Sequence, residues 1–352
     1  NFPLTLPKGF VISIFAKDLE APRVLAVDPL GNIITSIPKL NRIVALVDEN
    51  KDGLAEKTIV VASNLNKPHG MAFRCVTNKD CQLYIAETDK ISVGDYDINT
   101  LSVKNLKSIL SLPSGGRHIT KTILFADVNG KEKLLISSGS SCDVCLEKDW
   151  QRASIMSVNP DGTDLKLFAS GLRNSVFMAL NPADGKLWAT EMGRDMLGDN
   201  LPPDEINIIE EGKNYGWPVC YGQNIHDTDF DKNIYIQNPC DGKTPAFIDL
   251  PAHSAPLGMA FVPEDPPAGG WPEDYRNDLI IAFHGSWNRS EPTGYKLARV
   301  KLNKVGEYEG IEDFISGWLA KDGKTSLGRP ADIIIRPGGI MYVSDDKAGV
   351  VY

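Results

Sequence analysis

The 352 residues are 42% hydrophobic, enough to bury a large core, and carry a formal net charge of −9. That charge gives no reason to expect a nucleic-acid partner, and no apolar run is long enough to span a membrane. The chain opens on NFPLTLPKGF, which has no signal peptide pattern and reads as a mature or trimmed terminus.

Six copies of one pattern follow, each a turn leading into a β-branched or aromatic strand. In order they are DPLGNIITS at 28–36, TNKDCQLYIAE at 77–87, DVNGKEKLLISSG at 127–139, NPADGKLWATE at 181–191, YRNDLIIAFHG at 275–285 and RPGGIMYVSDD at 336–346. With Gly31, Asp80, Gly130, Gly185, Asp278 and Gly338 as markers, the steps are 49, 50, 55, 93 and 60 residues. A period near 50 with strand signals and no long amphipathic helix predicts an all-β, six-bladed β-propeller. The long fourth step holds a polar loop insertion, about 194–245, and nothing between copies reads as a linker. A single domain over 1–352 is expected.

Cysteines fall into local pairs: Cys75/Cys81, Cys142/Cys145 and Cys220/Cys240. Six cysteines allow 15 connectivities, so this pairing is a preference from proximity. Cys142-Asp-Val-Cys145 lacks the second CxxC or HxxxH that a zinc site needs, and lacks the following histidine of a c-type haem. Disulfides imply an oxidising compartment, so a periplasmic or secreted protein is expected.

A basic residue precedes the first apolar run of each copy: Arg23 before VLAV, His69 before GMAF, His118 before ITKTILF, Arg173-Asn174 before VFMAL, His253 before SAPLGMAF and Arg329 before ADIII. The innermost strand of a propeller blade lines the central channel. Three arginines and three histidines are therefore expected around one mouth, where they would concentrate positive potential in an acidic protein. Guanidinium forks suit carboxylates or phosphates, so the mouth should hold a small polyanion.

At these residues the sequence resembles the soluble sugar dehydrogenases that use pyrroloquinoline quinone, especially the branch called sorbosone dehydrogenases. The matching segments are GGRHITKTILF, ISSGSSCDVC, GLRNSVFMALNPADGKLWATEMGRDMLGDNLPPDEINIIEEGKNYGWPVCYG, HSAPLGMAF, HGSWNR…GYKLARV and GRPADIIIRPGGIMYVSDDKAGVVY. The resemblance implies a six-bladed propeller around a planar tricarboxylate quinone, bound here by Arg173, Asn174 and Arg329. It implies that His118 is the base that takes the proton of the sugar's anomeric hydroxyl as hydride passes to the quinone. It also implies Ca²⁺ on backbone carbonyls at Gly193 and Arg194, with Asp204 and Glu205 supporting that loop. Arg23, His69 and His253 complete the expected ring. A quinone-binding lysine of the glucose-oxidising members has no counterpart; HGSWNR occupies its region, with Arg289 or His284 as substitutes. His69 and His253 also stand where those members have uncharged polar residues, which opens the sugar preference.

The expected activity is oxidation of an aldose or related sugar at C1 to the lactone. With no haem motif in the chain, electrons leave to a separate acceptor, a cytochrome or a quinone. The alternatives are a calcium-dependent propeller lactonase, which needs acidic rather than basic strand starts, a non-catalytic binding module, and a family member that has lost its cofactor. Asp48-Glu-Asn50-Lys-Asp52-Gly53 has the spacing of a calcium loop but also of an ordinary turn. Asn288-Arg-Ser290 is a glycosylation sequon in a segment expected near the site. The chain ends at GVVY, within a strand pattern compatible with a further domain.

Overall fold

The computed structural model describes residues 3–264 and 270–352. Six antiparallel sheets, with successive strands paired in chain order, form six blades. The first strands of the blades are Leu25–Val27, Met71–Thr77, Lys121–Val128, Met178–Leu180, Pro256–Phe261 and Pro330–Ile335. Each packs beside the next, and Pro330–Ile335 packs beside Leu25–Val27, so the ring closes around one axis. The six-bladed β-propeller expected from the repeat is the fold.

Burial follows position in the blade. The second strands Ile33–Ile37, Leu187–Glu191 and Leu279–Phe283 are buried at every residue, because neighbouring blades cover both of their faces. Outer strands such as Ser102–Ser111 have no buried residue and face water. Apolar side chains gather in six clusters at the interfaces between blades: Tyr84 and Ile91 of blade two, for example, pack with Ile136 and Met156 of blade three. The turn glycines that marked the repeat do the local work, Gly185 adopting φ 72° and Gly338 φ 102°.

The sixth blade contributes three strands of its own, ending at Val350–Val351. Its outer edge is completed by the N-terminal segment, where Ala16 bridges to Val351 and Leu19 N–H donates to Gly349 O. The polar insertion interrupts blade four between its third strand, Asp204–Ile209, and its fourth, Ile248–Leu250. Part of the expected 194–245 excursion is therefore strand; the Pro-rich LPP before it masked the pattern. The excursion itself carries the small Cys220–Tyr221/Ile225–His226 ribbon. All three proximity pairs of cysteines are bridged.

Candidate functional site

A cleft of about 290 Å³ opens at the end of the ring where the inner strands of blades three, four and five begin. Its lining includes His118, Arg173, Asn174, Gly193 and His253 from the expected set. Arg117, Asp195, Asp204, Trp287 and Asn288 complete its polar wall.

His118 is held by a directed hydrogen-bond chain. Its Nδ1 lies 2.8 Å from Ser140 Oγ, and Ser140 Oγ donates to Cys142 O at 2.7 Å. A hydroxyl has one hydrogen, so Ser140 must accept from His118 Nδ1–H. The lone pair is thereby left on Nε2. Burial, then the Arg173 and Arg117 charges, lowers the His118 pKa to about 3, so the ring is neutral. Close approach is allowed by Gly139, where a Cβ would lie 2.6 Å from both His118 Cβ and Asn174 Oδ1.

Arg173 is almost fully buried and pinned from several sides. Nε donates to Asp143 O at 2.8 Å, Nη2 to Asp143 Oδ1 at 2.7 Å and Asp195 Oδ2 at 3.3 Å, and Nη1 to Met192 O at 3.2 Å. Asp143 sits in the turn closed by Cys142–Cys145. Arg117 shares Asp195 at 2.6 Å. The next residue, Asn174, has its main-chain N–H fixed on Glu191 Oε1 at 2.7 Å, and Ser175 Oγ donates to the same carboxyl. Burial, followed by the Glu205 charge, raises Glu191 to about 8.

On the opposite wall His253 Nε2–H donates to Gly198 O at 2.9 Å, leaving Nδ1 to accept from Asn288 Nδ2 at 3.2 Å. Asn288 Nδ2 also reaches Asp195 Oδ1 at 2.8 Å. The amide that a glycan would need is thus engaged inside the site. Trp287 is 66% exposed at the rim, with the Arg117 guanidinium 6.0 Å from its ring centre.

The remaining expected residues lie outside this lining. Arg23 pairs with Asp346 and touches His284 Nε2 at 3.3 Å. His284 itself faces Asp346 at 2.9 Å rather than the cleft. Arg329 Nε donates to His284 O at 2.9 Å and its Nη2 to Gly285 O. His69 is buried against Thr122 and Phe177, its pKa lowered to about 3 by burial and then by Arg23. Arg289 turns away to Glu291 O at 3.2 Å and Ala252 O at 3.2 Å. Arg194 pairs with Asp227 at 2.8 Å. Arg23, Arg117, Arg173 and Arg194 are thus already matched with carboxylates, and Arg329 and Arg289 with backbone carbonyls, which lowers the positive potential expected of a bare ring. An unpaired buried guanidinium would be strongly unfavourable, and the partner acids lie far away in sequence.

The turn at 193–194 is tightly held and leaves its carbonyls unclaimed, which suits a cation. Gly193 N–H donates to Asp204 Oδ1 at 2.9 Å, and a side chain at Gly193 would meet Pro203 O at 2.7 Å. The carbonyls of Gly193 and Arg194 accept no hydrogen bond from the described residues. At 48–56, Asp48, Asp52 and Glu56 cluster at the surface, their carboxylates capping main-chain N–H groups of their own turn.

Sequence reasoning missed Arg117, Asp195 and Trp287 as cleft residues, and placed Asn288 only in a segment expected near the site. The signal lay next to residues already singled out, Arg117 beside His118 and Trp287-Asn288 beside Arg289. Side-chain direction in an irregular segment has no sequence period to reveal it.

Over residues 4–352 the chain matches the TrAA12-like family. An uncharacterized protein of Borreliella burgdorferi is 33% identical, over 99% of this chain and 90% of its own length. The pyrroloquinoline quinone-dependent pyranose dehydrogenase of Coprinopsis cinerea is 23% identical over 100% of this chain. The match takes in 54% of that relative, so the chain spans about half its length. Among solved structures, the holo form of the PQQ domain of the Coprinopsis cinerea pyranose dehydrogenase has a TM-score of 0.80 at 20% identity, covering 99% of this chain and 96% of its own. A calcium structure of the Trichoderma reesei family AA12 enzyme has a TM-score of 0.81 at 18% identity, with the same coverage. These likenesses establish the fold.

Proposed function

The chain belongs to the TrAA12-like family, and on that premise we propose that it is a pyrroloquinoline quinone-dependent sugar dehydrogenase that oxidises an aldose or related sugar at C1 to the lactone. The observation that carries this reading is the pairing, in one cleft, of a neutral histidine whose Nε2 is free with donors suited to carboxylates.

The residues present fit a flat tricarboxylate and a hard cation. Arg117 and Arg173 offer guanidinium N–H groups, Asn174 offers an amide, and the carbonyls at Gly193 and Arg194, which accept no hydrogen bond from the described residues, suit Ca²⁺. Bound there, the quinone would supply the hydride acceptor, polarised by the cation. His118 Nε2 takes the proton of the anomeric hydroxyl, while Nδ1–H stays on Ser140 Oγ and keeps the ring oriented. Asp143 and Asp195 hold the Arg173 fork in place. Arg23, His69, Arg329 and Arg289 then support the surrounding segments through the contacts described above. A separate acceptor, cytochrome or quinone, takes the electrons onward, and the three disulfides favour a periplasmic or secreted location.

Adding quinone and Ca²⁺ to the apoprotein should change the cofactor's absorbance spectrum and switch on dye reduction by at least one sugar of an aldose panel. No spectral change and no sugar-dependent turnover would refute the assignment.

A further inference from the structure

The interface between blades two and three holds a polar cluster that the cleft does not use. Lys121, Ser138 and Ser154 stand directly opposite one another on neighbouring strands of blade three, so their side chains leave the same face. Two residues along each strand, Ile123, Ile136 and Met156 leave that face too, into the apolar cluster shared with Tyr84, Ala86 and Ile91 of blade two. The polar row thus faces blade two, just past the end of the apolar packing.

None of the three is more than 2% exposed. The Lys121 ammonium reaches a single acceptor among the described residues, Ile119 O, at 3.4 Å. Among the described residues Ser138 Oγ and Ser154 Oγ have no partner, and neither does Nη1 of buried Arg152, whose Nη2 donates to Ser114 O at 2.7 Å. On the blade-two side, Thr88 Oγ1 and Asp89 Oδ1 are buried and equally unpartnered. They lie between Ala86 and Ile91 of the shared cluster, and Asp89 O accepts from the N–H of Leu112, another of its members. Glu87, the next acid, is taken up by Ser92 Oγ at 2.6 Å and Lys90 at 3.6 Å.

Buried hydroxyls and cations are ordinarily hydrogen-bonded, so so many unmatched groups in one place call for a missing partner. Donors predominate. Burial and Arg152 are all that act on the Lys121 charge, so no carboxylate among the described residues offsets it. We propose that this cluster binds a small monovalent anion of halide size, held by Lys121 and Arg152 with hydroxyl hydrogens from Ser138, Ser154 and Thr88. A water would leave the charge unbalanced. Burial, then Arg152, lowers the Lys121 pKa to about 8 without an anion, still above neutral pH. The site also adjoins the His118 segment, since Lys121 follows His118 by three residues and Ser138 precedes Ser140 by two.

Thermal unfolding of the whole protein in sodium bromide, against sodium gluconate at equal ionic strength, tests this. The midpoint should be about 2–4 °C higher in bromide and should saturate with concentration. Lys121→Met, which keeps the stem and deletes the charge, should show no difference between the salts. Crystals grown in bromide should give an anomalous peak within hydrogen-bond reach of Lys121 Nζ and Arg152 Nη1. Equal midpoints in the two salts, a bromide effect undiminished in Lys121→Met, or density there without anomalous signal would each overturn the proposal. If Lys121→Met does not fold, the anomalous map on the wild type decides alone.

Discussion

His118 owes its basic atom to a residue in the loop that follows a neighbouring strand. Because Ser140 gives its only hydrogen to Cys142 O, the imidazole must carry its proton on Nδ1. His118→Ala should therefore lower kcat by about 10²–10⁴ while the quinone still binds. Ser140→Ala should lower kcat by less, leaving KM for the sugar nearly unchanged, since it frees the tautomer without removing the base. Equal kcat in wild type and His118→Ala would remove histidine from the mechanism. The depressed pKa adds a prediction with a definite sign. The unfolded chain takes up a proton near pH 6.5 that the folded ring refuses down to about pH 3. This histidine's contribution to stability is thus present above pH 6.5 and lost as pH falls toward 3. In an NMR titration of the apoprotein, the His118 ring signals should stay those of the neutral form to below pH 5. Binding of the tricarboxylate should raise that midpoint by offsetting Arg173 and Arg117.

Short covalent staples set the geometry of whole elements. The Cys142–Cys145 bridge closes the turn whose Asp143 carries two of the Arg173 bonds and accepts Asp195 N–H at 3.0 Å. Replacing both cysteines by serine should weaken quinone affinity several-fold with little change in the unfolding midpoint, because the loop closed is only three residues long. Cys220–Cys240 spans 20 residues of the insertion, and its removal should cost about 2–4 kcal/mol in chemical denaturation. If the first double variant lost stability rather than affinity, the turn would be a structural clamp and not a support for Arg173.

Closure of the ring depends on residues far apart in the chain. Phe15 and Ala16 donate to Val351 O at 2.8 and 3.0 Å, and Phe15 packs against Tyr342. Deleting residues 1–17 should open the seam between blades six and one. A lower denaturant midpoint and loss of cooperative unfolding are expected, and an unchanged midpoint would show that the seam carries no stability. The repeat, the number of blades, the cysteine pairs and the residues at each strand start were legible in the chain, because strand periodicity and turn chemistry are local. Where those residues point was not. Arg23 and Arg329 share the strand-start position of Arg173, yet they bond to Asp346 and to the His284–Gly285 backbone, while Trp287 and Asn288 reach the cleft from an irregular segment. The sequence determined by itself that six blades would form and that cations would stand at one end. Only the tertiary structure decided which of them face the cleft, because the carboxylates and carbonyls that capture a guanidinium arrive from other blades.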